Sequence, residues 1–257
     1  TQNILKEYYD SATSAFVFSE AQAVTNLTFD LHDRATHSQV KNYSAAAMDN
    51  ASFKDLQNIF YNEYDQFGNA LSQTIDTYTT QTVDAANIID HKRITNVYTD
   101  PIARRRGNAS SSTVDRWRTI AETTANLIDQ TVNTTSLFDA LGNAVDQTQV
   151  TKVYDAAAAA LVEVSKRVIH NTSYDNRGDA AAQTIASYLV DFPDGSRLDT
   201  LVSYQEFTNR VYDSSHNITN QMILTYDKAG TGRILLDVQE SRSIGFQATP
   251  STRKPSR

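Results

Sequence analysis

The sequence predicts a mainly α fold: an elongated helical bundle with a small C-terminal β-hairpin and an extended C-terminal tail. Three observations predict it. Apolar side chains recur every three or four residues over most of 1–212, the spacing of one helix face. Only 4 Pro and 8 Gly interrupt the 257 residues. Beyond Asn217 the pattern changes to two short apolar runs around a glycine-containing loop. The implied organisation is a helical domain at 1–212, interrupted by a basic loop near 91–112, followed by a small β element and C-terminal arm at 213–257.

The elements follow in order. Ile4, Leu5, Tyr8, Ala12 and Ala15 fit a short first helix, and Val24, Leu27, Leu31, Ala35, Val40, Tyr43 and Ala47 a second. From Ser52, a capping residue with Asp55 in the first turn, Phe53, Leu56, Phe60, Tyr64, Phe67, Leu71, Ile75 and Tyr78 continue the stripe. Carried on through Val83, Ala86 and Ile89, that helix would be roughly 50 Å long, with Gly68 as its weak point. Periodicity stops over Asp90–Ser112, where Pro101 disfavours helix at Asp100.

Helix resumes with Val114, Trp117, Ala121, Ala125, Ile128 and Val132, then with Leu137, Phe138, Leu141 and Val145. The clearest stripe is Val150, Val153, Ala157, Leu161, Val164 and Val168, with five alanines at Ala156–Ala160. Asn171–Gly178 reads as a turn before a helix capped by Asp179, and Phe192-Pro193-Asp194-Gly195 as another turn before a last helix through Leu198, Leu201, Tyr204 and Val211. Met222–Tyr226 and Ile234–Val238 read as strands, Ser243–Gln247 as a third short strand, and Thr249–Arg257 as the arm. No repeat at a fixed period of 20–50 residues is visible.

Composition narrows function by exclusion. With no Cys there is no disulfide framework, thiolate zinc site, cysteine nucleophile or iron–sulfur cluster. No run of ~18 apolar residues is present, so no helix spans a membrane. Thr (30), Ser (22) and Asn (18) are abundant, and Asp outnumbers Glu by 23 to 7. Self-assembling subunits, many viral coat proteins among them, share this cysteine-free, proline-poor, polar composition.

Catalytic and metal-binding signatures are absent. His32 and His37 would lie ~140° apart on a helix, off any common face, and Asp191, Asp194 and Asp199 lack the spacing of a calcium loop. Ala229-Gly230-Thr231-Gly232-Arg233 lacks the Gly-Lys-Ser/Thr of a phosphate loop. Ser38-Gln39-Val40-Lys41 fits SxxK without its companion motifs. Seven Asn-x-Ser/Thr triplets follow from the Asn, Ser and Thr content. No catalytic residue, cofactor or metal is therefore assigned.

Charge is the asymmetric feature. The chain carries −7 overall. Within 92–118, however, Lys92, Arg93, Arg104, Arg105, Arg106, Arg116 and Arg118 face only Asp100 and Asp115. These seven residues are the expected contact to nucleic acid or to a neighbouring subunit. The expected function is a structural, self-assembling subunit, a viral coat (capsid or nucleocapsid) or virion component, in a shell or helical filament. Its partners would be copies of itself and, through the basic loop, nucleic acid. The expected location is the virion, otherwise the cytoplasm or an extracellular filament. Two alternatives are a phage head–tail connector or neck ring, and a soluble or exported helical enzyme or binding domain.

Overall fold

Thr, Val, Ile, Tyr and Phe favour extended backbone, because branched and aromatic side chains pack well on a pleated surface. The structure, a computed structural model, describes residues 1–10, 15–213, 216 and 218–242. It is mainly β. Strands β1 (Gln2–Asp10), β2 (Ala15–Phe29), β3 (Ala35–Tyr43), β4 (Phe53–Tyr64), β5 (Ala70–Tyr78), β6 (Ile88–Val97) and β7 (Ser111–Trp117) form the first half. Strands β8 (Leu127–Phe138), β9 (Ala144–Asp155), β10 (Ala160–Tyr174), β11 (Ala180–Asp191), β12 (Leu198–Tyr212), β13 (Ile218–Tyr226) and β14 (Leu235–Arg242) form the second. All fourteen join one open antiparallel sheet in sequence order, β1 to β14. At ~4.8 Å between strands the sheet is about 60 Å across.

The helical bundle is thus overturned, and with it an all-helical reading of 1–212. The stripes misled for two physical reasons. A step of four, such as Leu56 to Phe60, is two strand alternations as well as about one helical turn. In addition, twelve of the thirteen strand pairs carry a register shift. Each bulge turns a step of two into three, as between Phe53 and Leu56, which pair with Tyr43 and Lys41 across one shift. The five-alanine segment is the hairpin turn between β9 and β10, not a helix. β13 and β14 overlap the two strands expected there, starting earlier at Ile218 and ending later at Arg242, but they continue the one sheet. Ser243–Gln247 and the Thr249–Arg257 arm lie outside the described residues.

Among the described residues the one α-helix, α1 (Pro101–Arg105), stands where helix was least expected. Asp100 caps it, its side chain accepting from the Ile102 and Ala103 amides, and Pro101 occupies the first helical position, where its missing N–H costs nothing.

Both faces of the sheet are rich in Gln, Asn, Thr, Ser and charged residues, so burial is thin. Leu56 is the one large side chain among the described residues that is fully buried, opposite Tyr78 on the next strand, while Tyr43, Tyr78 and Trp117 are nearly so.

A recurring turn appears that no fixed-period search finds. Connections after β2, β4, β8 and β10 share an aromatic-Asp start at Phe29-Asp30, Tyr64-Asp65, Phe138-Asp139 and Tyr174-Asp175, and close on Ala35, Ala70, Ala144 and Ala180. Tyr212-Asp213 opens the connection after β12 in the same way. The aromatics stand 35 to 38 residues apart where neighbouring turns are regular, so the period drifts. The connections after β2, β4, β8 and β10 all lie at the same end of the antiparallel strands.

Candidate functional site

The turns are built alike from the Asp upward. Oδ1 of Asp30, Asp65, Asp139 and Asp175 accepts from the backbone amides two and four residues on, at 2.8–3.0 Å. Each Asp amide in turn donates to the carbonyl four residues on. The residue three after Asp adopts a left-handed conformation, φ 59 at Asp33 and 80–88 at Gly68, Gly142 and Gly178. Neighbouring turns interlock: the Tyr64 hydroxyl donates to the Ala35 carbonyl at 2.6 Å, Tyr212 to Ala180 at 2.7 Å, and Tyr174 to Ala144.

Charge reinforces the row. The Arg34 hydrogen bond to Asp30 holds that carboxyl down at about 2. Burial pushes Asp65 up, but the Arg104 guanidinium and the Asn69 and Phe67 amides outweigh it and hold Asp65 at about 2. Asp139 and Asp175 are lowered too. At Asp139 burial opposes and the Asn143 donors prevail, while at Asp175 the Asp179 amide leads.

The connection after β6 departs from the pattern and carries α1. Arg104 Nε donates to Asp65 Oδ2 at 2.7 Å, its guanidinium lies 5.4 Å from the Phe67 ring centroid, and its carbonyl accepts from Asn69 Nδ2. On the other side Arg106 donates to the Leu141 carbonyl at 2.7 Å, and Asn108 Nδ2 to the Gly142 carbonyl. Helix α1 therefore bridges the turns after β4 and β8. Arg105 is exposed.

The other basic residues go elsewhere. Lys92 and Arg116 sit opposite each other on β6 and β7, with Asp90 3.3 Å from Lys92 and Asp129 gripped by Arg116. Arg93 is on the opposite face, 5.1 Å from the Trp117 ring centroid and paired with Glu122 and Asp115. Arg118 is exposed beyond β7. The seven residues that sequence groups together are thus divided between one end of the strands and both faces, most of them neutralised by this chain's own carboxylates.

Two features were missed. On the Arg93 face, His91 Nδ1 lies 2.5 Å from Asp76 Oδ1 and Nε2 lies 3.1 Å from Glu122 Oε1. The Asp76 hydrogen bond, against the cost of burial and helped by Glu122, raises the His91 pKa. Burial and Asp76 likewise push the Tyr78 hydroxyl up to about 12. An imidazole with a carboxylate on each nitrogen holds charge and has no free nitrogen with which to move a proton. No sequence signal marks it, since only strand register brings 76 beside 91. The second feature is the turn row, whose signal was present as the repeated aromatic-Asp pair.

A polar groove of about 410 Å³ lies between the turns after β8 and β10, lined by Asp139, Leu141, His170 and Tyr174 among others. His170 in it is paired with Asp146 at 2.6 Å. Among the described residues no group of three His, Cys, Asp or Glu side chains is placed to hold a metal ion. His37 stacks on Phe60 at 4.2 Å and bonds Asn58. Ser38 and Lys41, three apart on a strand, point to opposite faces, so the SxxK spacing brings nothing together. No protein family and no curated protein matches the chain.

Proposed function

We propose that this chain is a structural protein, a sheet-building subunit that joins copies of itself into a larger wall of the kind a coat or shell requires. The observation that carries the reading is the balance of surface. Among the described residues 27 large apolar side chains are exposed, whereas Leu56 alone among large ones is fully buried. A single layer of this width has little interior of its own, and further burial has to come from neighbours. The most elaborate local construction, the turn row, fixes geometry and assembles no reacting groups. The pairing of Lys92, Arg93, Arg104 and Arg116 with internal carboxylates favours a structural use of these residues over nucleic-acid contact.

Light scattering over a wide concentration range, with electron microscopy of the same samples, tests this. Multi-copy particles are expected. A monomer at the highest concentration overturns the reading.

A further inference from the structure

We infer that copies of this chain join edge to edge, β14 of one pairing antiparallel with β1 of the next so that the sheet continues unbroken. This deepens the structural reading above and rests on it.

Topology permits it first. The sheet is open, and among the described residues β1 and β14 each have one neighbour, leaving a row of backbone donors and acceptors on the outer side. With an even number of consecutive antiparallel strands, β14 runs opposite to β1. A second copy in the same orientation therefore presents β1 antiparallel to β14, as in every junction inside the chain. An odd number would force a parallel junction or an inverted copy. No proline breaks either strand.

Side chains then select a register. Following cross-strand partners through the sheet places Lys6 and Asp237 on one face and Leu5 and Val238 on the other. Setting Lys6 opposite Asp237 puts opposite charges together and at once sets Leu5 opposite Val238. Both of these apolar side chains are at least half exposed in the single chain. A slip of two residues either way sets Lys6 against Leu235 or Gln239 and loses the charge pair. A slip of one puts partners on opposite faces. Pairs of this kind each contribute a fraction of the junction, while the backbone ladder supplies its length. The contact is heterologous, so it propagates as a ribbon or closes as a ring.

The chain has no native cysteine, which makes a clean test. Two single-cysteine proteins, Leu5→Cys and Val238→Cys, are mixed under mild oxidation and run on a non-reducing gel. The control pairs Leu5→Cys with Val202→Cys, an equally exposed site on β12. The expected result is a disulfide-linked dimer forming at least tenfold faster in the first mixture. Asp237→Lys, which sets like charges together, should raise the association midpoint at least tenfold, and adding Lys6→Glu with Glu20→Lys, which keeps the β1–β2 ion pair in reverse, should restore most of it. Equal rates in the two mixtures while the native protein associates would overturn the edge junction and leave the structural reading standing. So would a double-cysteine chain that closes only on itself. A native protein that stays monomeric removes both.

Discussion

Ala159 holds φ 50 in the five-alanine turn between β9 and β10. A side chain with Cβ pays roughly 1–2 kcal/mol for that left-handed conformation. Ala159→Gly should therefore stabilise the fold by about 0.5–1 kcal/mol, after glycine's greater unfolded-state entropy is deducted, measurable by urea unfolding. Glycine positions in the turn row are unequal. At Gly142 an added Cβ would meet the Ala103 backbone at 2.8 Å and 2.9 Å, whereas at Gly68 the nearest atom, Arg34 Cδ, is 3.9 Å away. Gly68→Ala should cost about 1 kcal/mol from backbone strain alone. Gly142→Ala should cost at least about twice that by displacing α1, and limited proteolysis in 99–110 should report the displacement. Asp65 is nearly sealed from solvent and serves four donors, so Asp65→Ala should cost about 3 kcal/mol or more. Asp175→Ala, at a more exposed copy of the turn, should cost clearly less.

At the scale of elements, the His91 clamp ties β5 and β6 to the connection before β8. From the register, Asp76 and Tyr78 face His91 from β5, Arg93 lies beside it on β6, and Asp115 and Trp117 face it from β7. Glu122 approaches from the connection after β7. The raised pKa of His91 fixes the sign: the stabilisation is full below the unfolded value of about 6.5 and is lost as pH rises through the higher folded value. Melting temperature should fall over that window in the native protein, and the step should vanish in His91→Gln. The only tryptophan, Trp117, has its ring 5.6 Å from His91 and should report the same transition by fluorescence. What the sequence disclosed belongs to this scale as well. The turn at Phe192–Gly195, the second half of the one expected at Asn171–Gly178 (its first half is the end of β10) and the existence of the last two strands were legible, because Gly, Pro and Asp chemistry is local. The helices were misread because β-bulges and steps of four imitate a helical stripe. Pro101 keeps Asp100 extended, as the sequence implies, but Asp100 there caps a short helix that begins at Pro101 itself. The clamp and the Arg104–Asp65 pair were hidden, since partners 15 and 39 residues apart meet only through register and row.

For the molecule as a whole, the depressed Asp carboxyls make acid the natural denaturant. Groups held near 2 in the fold but near 3.9 when unfolded stabilise it fully above about pH 4, and that stabilisation is lost as pH falls toward 2. Circular dichroism should show strand signal lost over that interval, and Asp65→Asn should shift the midpoint upward.

Every extensive strand contact is between consecutive strands. Such a chain has adjustable length: a two-strand unit running from one aromatic-Asp turn to the next could be excised or duplicated while its neighbours re-pair across the scar with direction conserved. Variation in the number of such units, always by whole pairs, is the kind of change this architecture tolerates best.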